Sequence, residues 1–388
     1  MKTGILTQPL LNNYGGLIQN FALQKALQKL GHDPITIDQK SKELPLWRVT
    51  LGRFNGYLQH WLYPDKIKKP RYLPTKNEQA TIEKNTRYFR DNFIIHTRKC
   101  EGGEDFKYEV LANNIEAIVV GSDQCWRPTY NDYIEDMFLK FTEGMPLKKR
   151  MSYAASFGTD QWVFTPGLTK TCASLAKKFD LITVREDSGV KLCEEYLGVK
   201  AFHVLDPTML LSKEDYSELI EQQKTPKSSG NLFNYILDPS CRKQKFVEEI
   251  ASSQGLKPFQ VLPEFNEDHR TRKNVKSNIE NCVYPSPFAW LRAFMDSELI
   301  IVDSFHGMVF SIIFNKPFWV IGNVERGLSR FTSLLKMFYL EDRLINEKEL
   351  DKIDPLKSID WDIVNTILKE KREESMHFLS DGLNNNEF

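Results

Sequence analysis

Leu299–Ile313 reads LIIVDSFHGMVFSII, and the order of its residue types decides the fold. Leu299–Val302 is a short, wholly apolar, β-branched run that makes a buried strand, and the strand stops at Asp303. Ser304 stands where an N-cap belongs, and apolar residues then continue over Phe305–Phe314 as a helix. A second buried run, Phe318–Ile321, follows at once. Strand, polar turn, helix, strand is the repeating unit of a parallel sheet. It places His306 and Gly307 in a first helical turn, where free N–H groups and the positive end of the helix dipole attract phosphate or carboxylate. The dipole alone favours a neutral imidazole, whereas a bound phosphate favours the imidazolium. Ligand binding could thus load His306 with the proton of a general acid. The plainer reading is a histidine that caps or packs at a turn.

Outward from this unit, Leu232–Leu237 and Phe259–Leu262 read as further strands of the same half. The other half opens with Gly4–Gln8 as a strand, Leu17–Leu30 as a helix with Gly31 as its C-cap, and Pro34–Asp38 as the next strand. Four more strands follow. Ala117–Val120 ends in Gly121-Ser122-Asp123-Gln124, and Met151–Ala155 ends in Ser156-Phe157-Gly158. Leu181–Val184 ends in Arg185-Glu186, and His203–Leu205 ends in Asp206-Pro207. Each delivers polar groups at its carboxyl end, where open α/β sheets bind ligands. The expected organisation is therefore a Rossmann-like domain over 1–223, a polar linker at Lys224–Gly230, and a second Rossmann-like domain over 231–355. A helix near Trp361–Lys371 and a frayed polar end, Asp381–Glu387, complete residues 356–388.

Residues 40–110 interrupt the rhythm. Trp47, Leu51, Phe54, Leu58, Trp61 and Leu62 fall at helical spacing, followed by Lys66, Lys68, Lys69 and Arg71. This predicts an inserted amphipathic helix packed on the domain. The alternative is a docking surface for a membrane or a lipid-linked substrate.

With 52 basic and 52 acidic side chains the chain carries no net charge, which argues against general affinity for nucleic acid. The six cysteines are scattered, without zinc-knuckle or CxxC spacing, as suits a reducing compartment. No signal peptide opens the sequence and no run approaches the roughly 20 apolar residues of a membrane span. A cytoplasmic location is expected. The seven histidines show no ligand spacing, and Glu267-Asp268-His269-Arg270 reads as a polar loop, so no metal is expected. Nucleophile elbow, HExxH and kinase signatures are all missing.

Other candidates sit on loops. Asn12-Asn13-Tyr14-Gly15-Gly16 joins a strand to a helix, and its paired glycines permit close approach to a ligand. Asp123 could bind or deprotonate a sugar hydroxyl, or simply stabilise its turn. Arg185 could hold an anion bidentately, or pair with Glu186 or Asp187. Arg326 and Arg330 are either solvated charges or a cationic wall opposite His306.

Taken together, NNYGGLIQNFALQKALQKLGH, AIVVGSDQCW, SYAASFG, ITVRED, VLDPTMLL and DSFHGMVFSIIFNKPF occur in one order over roughly residues 4–335. In that order they resemble the polysaccharide pyruvyl transferase family. The resemblance implies a GT-B-like α/β fold, two Rossmann-like domains with parallel sheets facing across a cleft, the first taking the acceptor and the second the donor. It implies transfer of pyruvate from phosphoenolpyruvate to two hydroxyls of a sugar, forming a ketal and releasing phosphate. Phosphoenolpyruvate is then the donor substrate, no further cofactor is needed, and the partner is a sugar or glycan acceptor. Its linkage to lipid or nucleotide is left open, as is contact with the inner face of a membrane.

On this likeness His306 and Asp123 are catalytic. Arg185, Ser304, Gly307, Arg326 and Arg330 bind the donor, while Asn13, Tyr14, Gly15, Gly16, Ser122, Gln124 and Ser156 bind the acceptor. One departure stands out. Many relatives carry arginine two positions before the histidine, where this chain has Ser304, so positive charge must come from elsewhere. Two other readings stay open: a sugar-modifying transferase with a nucleotide-sugar donor, and a non-catalytic carbohydrate- or anion-binding relative.

Overall fold

A computed structural model describes residues 1–40, 72–266, 270–322 and 327–384, together with 55, 59, 61 and 62. Its strands form two all-parallel sheets. The first contains β1 (Lys2–Leu6), β2 (Asp33–Thr36), β3 (Ala117–Val120), β4 (Lys149–Ala155), β5 (Leu181–Val184) and β6 (Phe202–His203) in the order β2-β1-β3-β4-β5-β6. The second contains β7 (Leu232–Tyr235), β8 (Pro258–Phe259), β9 (Leu299–Val302), β10 (Phe318–Gly322) and β11 (Leu344–Asn346) in the order β8-β7-β9-β10-β11. The central strands AIVV, LITV and LIIV are buried at every position, as expected of strands covered on both faces.

The two orders are the same order. In each sheet the first strand lies between the second and the third, so successive crossovers leave in opposite directions at that point. Ile5 pairs with Val119 and Leu6 with Val120 in one sheet, and Tyr235 pairs with Val302 in the other. Such a reversal leaves a crevice at the carboxyl ends of the two strands involved. The fold therefore supplies two crevices, one at β1/β3 and one at β7/β9, and both border a single cavity.

The helix Tyr14–Lys29 holds the halves together. Asn13 caps it by accepting from the Gly16 amide. Tyr14, Leu17, Ile18 and Phe21 share an apolar cluster with Val302, Trp290 and Phe310 of the second half. Leu23, Ala26 and Leu27 join Ile5, Val119 and Met151 of the first. Burial on several sides explains why this helix lacks a polar face over most of its length. Each large side chain so buried stabilises the structure by roughly 2 kcal/mol.

Several expectations are corrected. The strand expected over Phe259–Leu262 is only Pro258–Phe259. The C-terminal helix runs from Trp361 to Leu383, and Asp381 is buried rather than frayed. Leu379 and Leu383 explain this, because they return to the first sheet and share a core with Met151, Tyr153 and Leu181. Arg372 also donates to the carbonyls of Met209 and Leu211. The apolar period was hidden by the polar residues around it. Of the insertion's six apolar positions only Trp61 and Leu62 are described, and both are exposed, which gives no support to a packed helix there. Trp47, Leu51, Phe54 and Leu58, the basic residues Lys66, Lys68, Lys69 and Arg71, and Glu267, Asp268 and His269 lie outside the described residues; Arg270 is buried.

Candidate active site

β9 ends as its sequence implies. Asp303 accepts from the Leu237 amide at 2.7 Å, the Asp238 amide at 3.0 Å and Lys243 Nζ at 3.2 Å, fastening the end of β7 beside its own. Ser304 Oγ accepts from the Gly307 amide at 3.0 Å and caps the helix Phe305–Ile313. A Cβ on Gly307 would lie 2.6 Å from that hydroxyl, so the tight turn requires glycine. The amides of Phe305 and His306 precede any intrahelical acceptor and face the start of the helix.

The imidazole of His306 is gripped from two sides. A Cβ on Gly15 would sit 2.1 Å from Nδ1, so only glycine lets the loop after β1 approach this ring. On the other side Nε2 is buried and lies 3.6 Å from Asp206 Oδ2. That is an ion-pair separation, longer than a hydrogen bond. Asp206 is itself caged. Its Oδ1 accepts from the Thr208 amide at 3.0 Å and from Thr208 Oγ1 at 2.7 Å. Its Oδ2 accepts from Arg185 at 2.8 Å and Ser122 Oγ at 3.3 Å. Burial alone would raise this carboxyl, but His306 and Arg185 outweigh it and hold it well below the usual carboxylate range.

Arg185 bridges two carboxylates, reaching Asp206 and also Asp123 Oδ1 at 3.2 Å. Its side chain is 1% exposed and lies over the Phe305 ring, 4.4 Å from the centroid. Burial would lower its pKa, but the surrounding carboxylates raise it further. Asp123 is lowered in turn: burial works the other way, but Arg185, His306 and Arg330 prevail. Arg330 differs. It is buried, its Nε has no partner, and its guanidinium lies between 5 and 6 Å from the rings of Phe305 and Phe331, at 5.7 and 5.8 Å. Burial and the neighbouring Arg185 push it down to about 10.

These groups surround a cavity of about 220 Å³. Of the residues singled out from sequence, Asn13, Gly15, Asp123, Gln124, Ser304, His306 and Arg330 form its wall. Six others do not. Tyr14 turns its hydroxyl to the Pro285 carbonyl at 2.9 Å, among the rings between the halves. Gly16 supplies its amide to the Asn13 cap. Ser122 donates to the Ala154 carbonyl, and Ser156 donates to Glu186. Gly307 serves the Ser304 cap, and Arg185 stands behind Phe305. Arg326 lies outside the described residues.

Sequence reasoning missed Asp206 as a partner of the imidazole, although VLDP was visible as a strand end. It also missed Tyr235 and Leu237 at the end of β7, and Tyr130, Trp290, Asp303, Phe305 and Phe331, which complete the wall. The β7 residues become visible only once strand order places β7 beside β9. Among the described residues no cluster of three His, Cys, Asp or Glu side chains is arranged to hold a metal ion. Nor is any described helix long and apolar enough to cross a membrane.

A family model described as polysaccharide pyruvyl transferase matches residues 13–325. No curated protein matches the chain. Among solved structures, the UDP-GlcNAc 2-epimerase of Methanocaldococcus jannaschii is similar at 12% identity and a TM-score of 0.46, covering 96% of this chain and 94% of that one. The UDP-GlcNAc 2-epimerase of Neisseria meningitidis is similar at 13% identity and a TM-score of 0.42, covering 96% and 100%. Spinosyn rhamnosyltransferase SpnG complexed with thymidine diphosphate is similar at 12% identity and a TM-score of 0.43, covering 99% and 96%.

Proposed function

This chain belongs to the polysaccharide pyruvyl transferase family, and on that premise we propose that its cavity transfers pyruvate from phosphoenolpyruvate to two hydroxyls of a sugar, closing a cyclic ketal and releasing phosphate. One observation carries the reading: His306 stands at a helix N-terminus in the cavity wall, together with a buried arginine, Arg330, whose Nε is unpartnered. That arrangement suits a small polyanion that must be protonated on carbon.

The donor's phosphate and carboxylate lie against the Phe305 and His306 amides and Arg330, which supplies the charge that Ser304 cannot. Held beside the imidazole, the anion favours its protonated form. His306 delivers that proton to C3, the methylene becomes methyl, and C2 becomes electrophilic. One sugar hydroxyl adds its oxygen to C2, the bond from C2 to the phosphate oxygen breaks, and the second hydroxyl adds at the same carbon. Two hydroxyl protons are released in all. One replaces the proton His306 gave to C3, and the other leaves on hydrogen phosphate.

Asp123 is suited to orient a hydroxyl by accepting its hydrogen bond. Arg185 keeps it ionised and therefore a weak base, so the proton passes onward to phosphate. Asp206 fixes the imidazole with Nε2 inward, leaving Nδ1 beside Gly15 as the atom that exchanges the proton.

The test is a thermal-shift series with phosphoenolpyruvate, nucleotide sugars and buffer. Phosphoenolpyruvate at about 100 times its Kd should add about 2.7 kcal/mol of stability, seen as a rise in Tm. Stabilisation by nucleotide sugars with none from phosphoenolpyruvate overturns the proposal.

A further inference from the structure

Arg330 is the cation of the cavity wall, yet its own helix does not fix where it points. Helix Ser329–Met337 follows Leu328, a residue that cannot cap, and no side-chain cap is formed. The guanidinium packs on the rings of Phe305 and Phe331, and its Nε is unpartnered. Attraction to a ring face is broad and does not define a direction as a hydrogen bond does.

The start of this helix is seated on the first half instead. The Asp187 amide donates to Ser333 Oγ at 2.9 Å. Gly327 comes so near Gly158 that a Cβ on it would lie 2.3 Å from the Gly158 carbonyl oxygen. Gly158 also backs onto the cavity wall, since its own Cβ would lie 2.1 Å from Gln124 Oε1.

Behind the seat stands Glu186, which is fully buried and takes no part in the cavity wall. Its Oε1 accepts from Ser156 Oγ at 3.0 Å, the Phe157 amide at 2.8 Å and the Gly158 amide at 3.2 Å. Three donors gathered on one oxygen hold the turn Ser156-Phe157-Gly158 in one geometry. Oε2 has no partner. Burial pushes this carboxyl up, against the pull of Arg185 and Arg330.

We propose that Glu186 is a positioning residue for donor binding: by holding the 156–158 turn against Gly327 it sets where the helix begins, and so aims Arg330 at the donor's anion. The inference rests on the pyruvyl-transfer reading of the cavity and deepens it. A cation aimed before the donor arrives has less freedom to lose on binding. The first half thereby takes part in a contact whose charge belongs to the second.

The test is titration calorimetry on the full chain with phosphoenolpyruvate, and with inorganic phosphate as a second probe that meets the same cation. Glu186→Ala should weaken both by about tenfold or more. Glu186→Gln keeps an acceptor for the three donors and should stay within about threefold of the parent chain. In an Arg330→Gln background, Glu186→Ala should cost less than about threefold further, because both substitutions remove the same contact. Gly327→Ala strains the seat without touching Glu186 and should reproduce the loss and its dependence on Arg330. It carries the test should Glu186→Ala not fold. A merely structural defect would lower the binding stoichiometry and leave the affinity of the folded molecules unchanged.

Unchanged affinity in Glu186→Ala or in Gly327→Ala overturns the inference. So does Glu186→Gln as weak as Glu186→Ala, or a full multiplication of the Glu186 and Arg330 effects. If phosphoenolpyruvate binds the parent chain and these experiments fail, the positioning role alone falls. If phosphoenolpyruvate does not bind but phosphate follows the expected pattern, the donor reading falls and the positioning of Arg330 stands. Binding of neither probe to the parent chain overturns both.

Discussion

The carboxyl ends of the two sheets are both rich in polar residues, yet they are used differently. At the end of the first sheet the groups pair mainly with one another, although Arg185 Nε and Glu186 Oε2 stay without a partner. Ser122, Asp206, Arg185 and Asp123 form one buried chain of contacts, and Ser156 joins Glu186 in another. At the end of the second sheet Asp303 and Ser304 fix local geometry, while His306 and Arg330 line the cavity, the imidazole with Nε2 turned toward Asp206 and the guanidinium with Nε unpartnered. The first end is a rigid frame and the second holds the groups with reactive capacity to spare. Polar residues at strand ends are thus not interchangeable as evidence of ligand binding. What separates them is whether the protein already occupies their donors and acceptors.

The largest effect should come from the reactive side. His306→Ala should lower phosphoenolpyruvate-dependent phosphate release by about 10²–10⁴-fold, with circular dichroism unchanged. Near-parental turnover would mean that the second sheet's end is also only a frame.

The next effect belongs to the frame. Asp206→Asn should destabilise the protein by about 3–5 kcal/mol at neutral pH in urea unfolding, because it leaves Arg185 buried with one carboxylate fewer. The sign with pH follows from its lowered pKa. Stability from the ionised Asp206 is fully present above the ordinary carboxyl value of about 4 and is lost as pH falls below it. The gap between parent and variant should therefore narrow from pH 7 toward pH 3. A gap that stays constant or widens would mean that Asp206 acts through packing alone.

The smallest effect sharpens the contrast between the two arginines. Arg330→Gln should weaken phosphoenolpyruvate binding by roughly 10–100-fold in calorimetry, the worth of one hydrogen bond to a charged group, without destabilising the free protein. Among the described residues Arg330 makes no hydrogen bond that the substitution would remove. Destabilisation with unchanged affinity would move Arg330 into the frame beside Arg185.

The fold was legible because buried parallel strands are continuous apolar runs and their helices begin with recognisable caps. Ser304 caps as its sequence position implies. His306 and Asp123 reach the cavity for the same reason: each follows a strand end by one short turn. Pairing was not legible. That Arg185 would face Asp206 across β5 and β6, and not an incoming anion, depends on side-chain directions that no local pattern encodes. Tyr235 was hidden because strand order brings β7 beside β9 across a long gap in sequence. Tyr14 misled because its neighbours in the loop face the cavity while its own ring is drawn into the aromatic cluster between the halves.

Gly15 has a last consequence. With only hydrogen at that position, a loop from one lobe forms part of the seat of a ring belonging to the other. The acid's aim and the closeness of the lobes are then one variable. A parting of an ångström or so would unseat the imidazole, and an open cleft would be inert as well as accessible. In the proposed reaction the donor would then meet a properly aimed proton source only when enclosed.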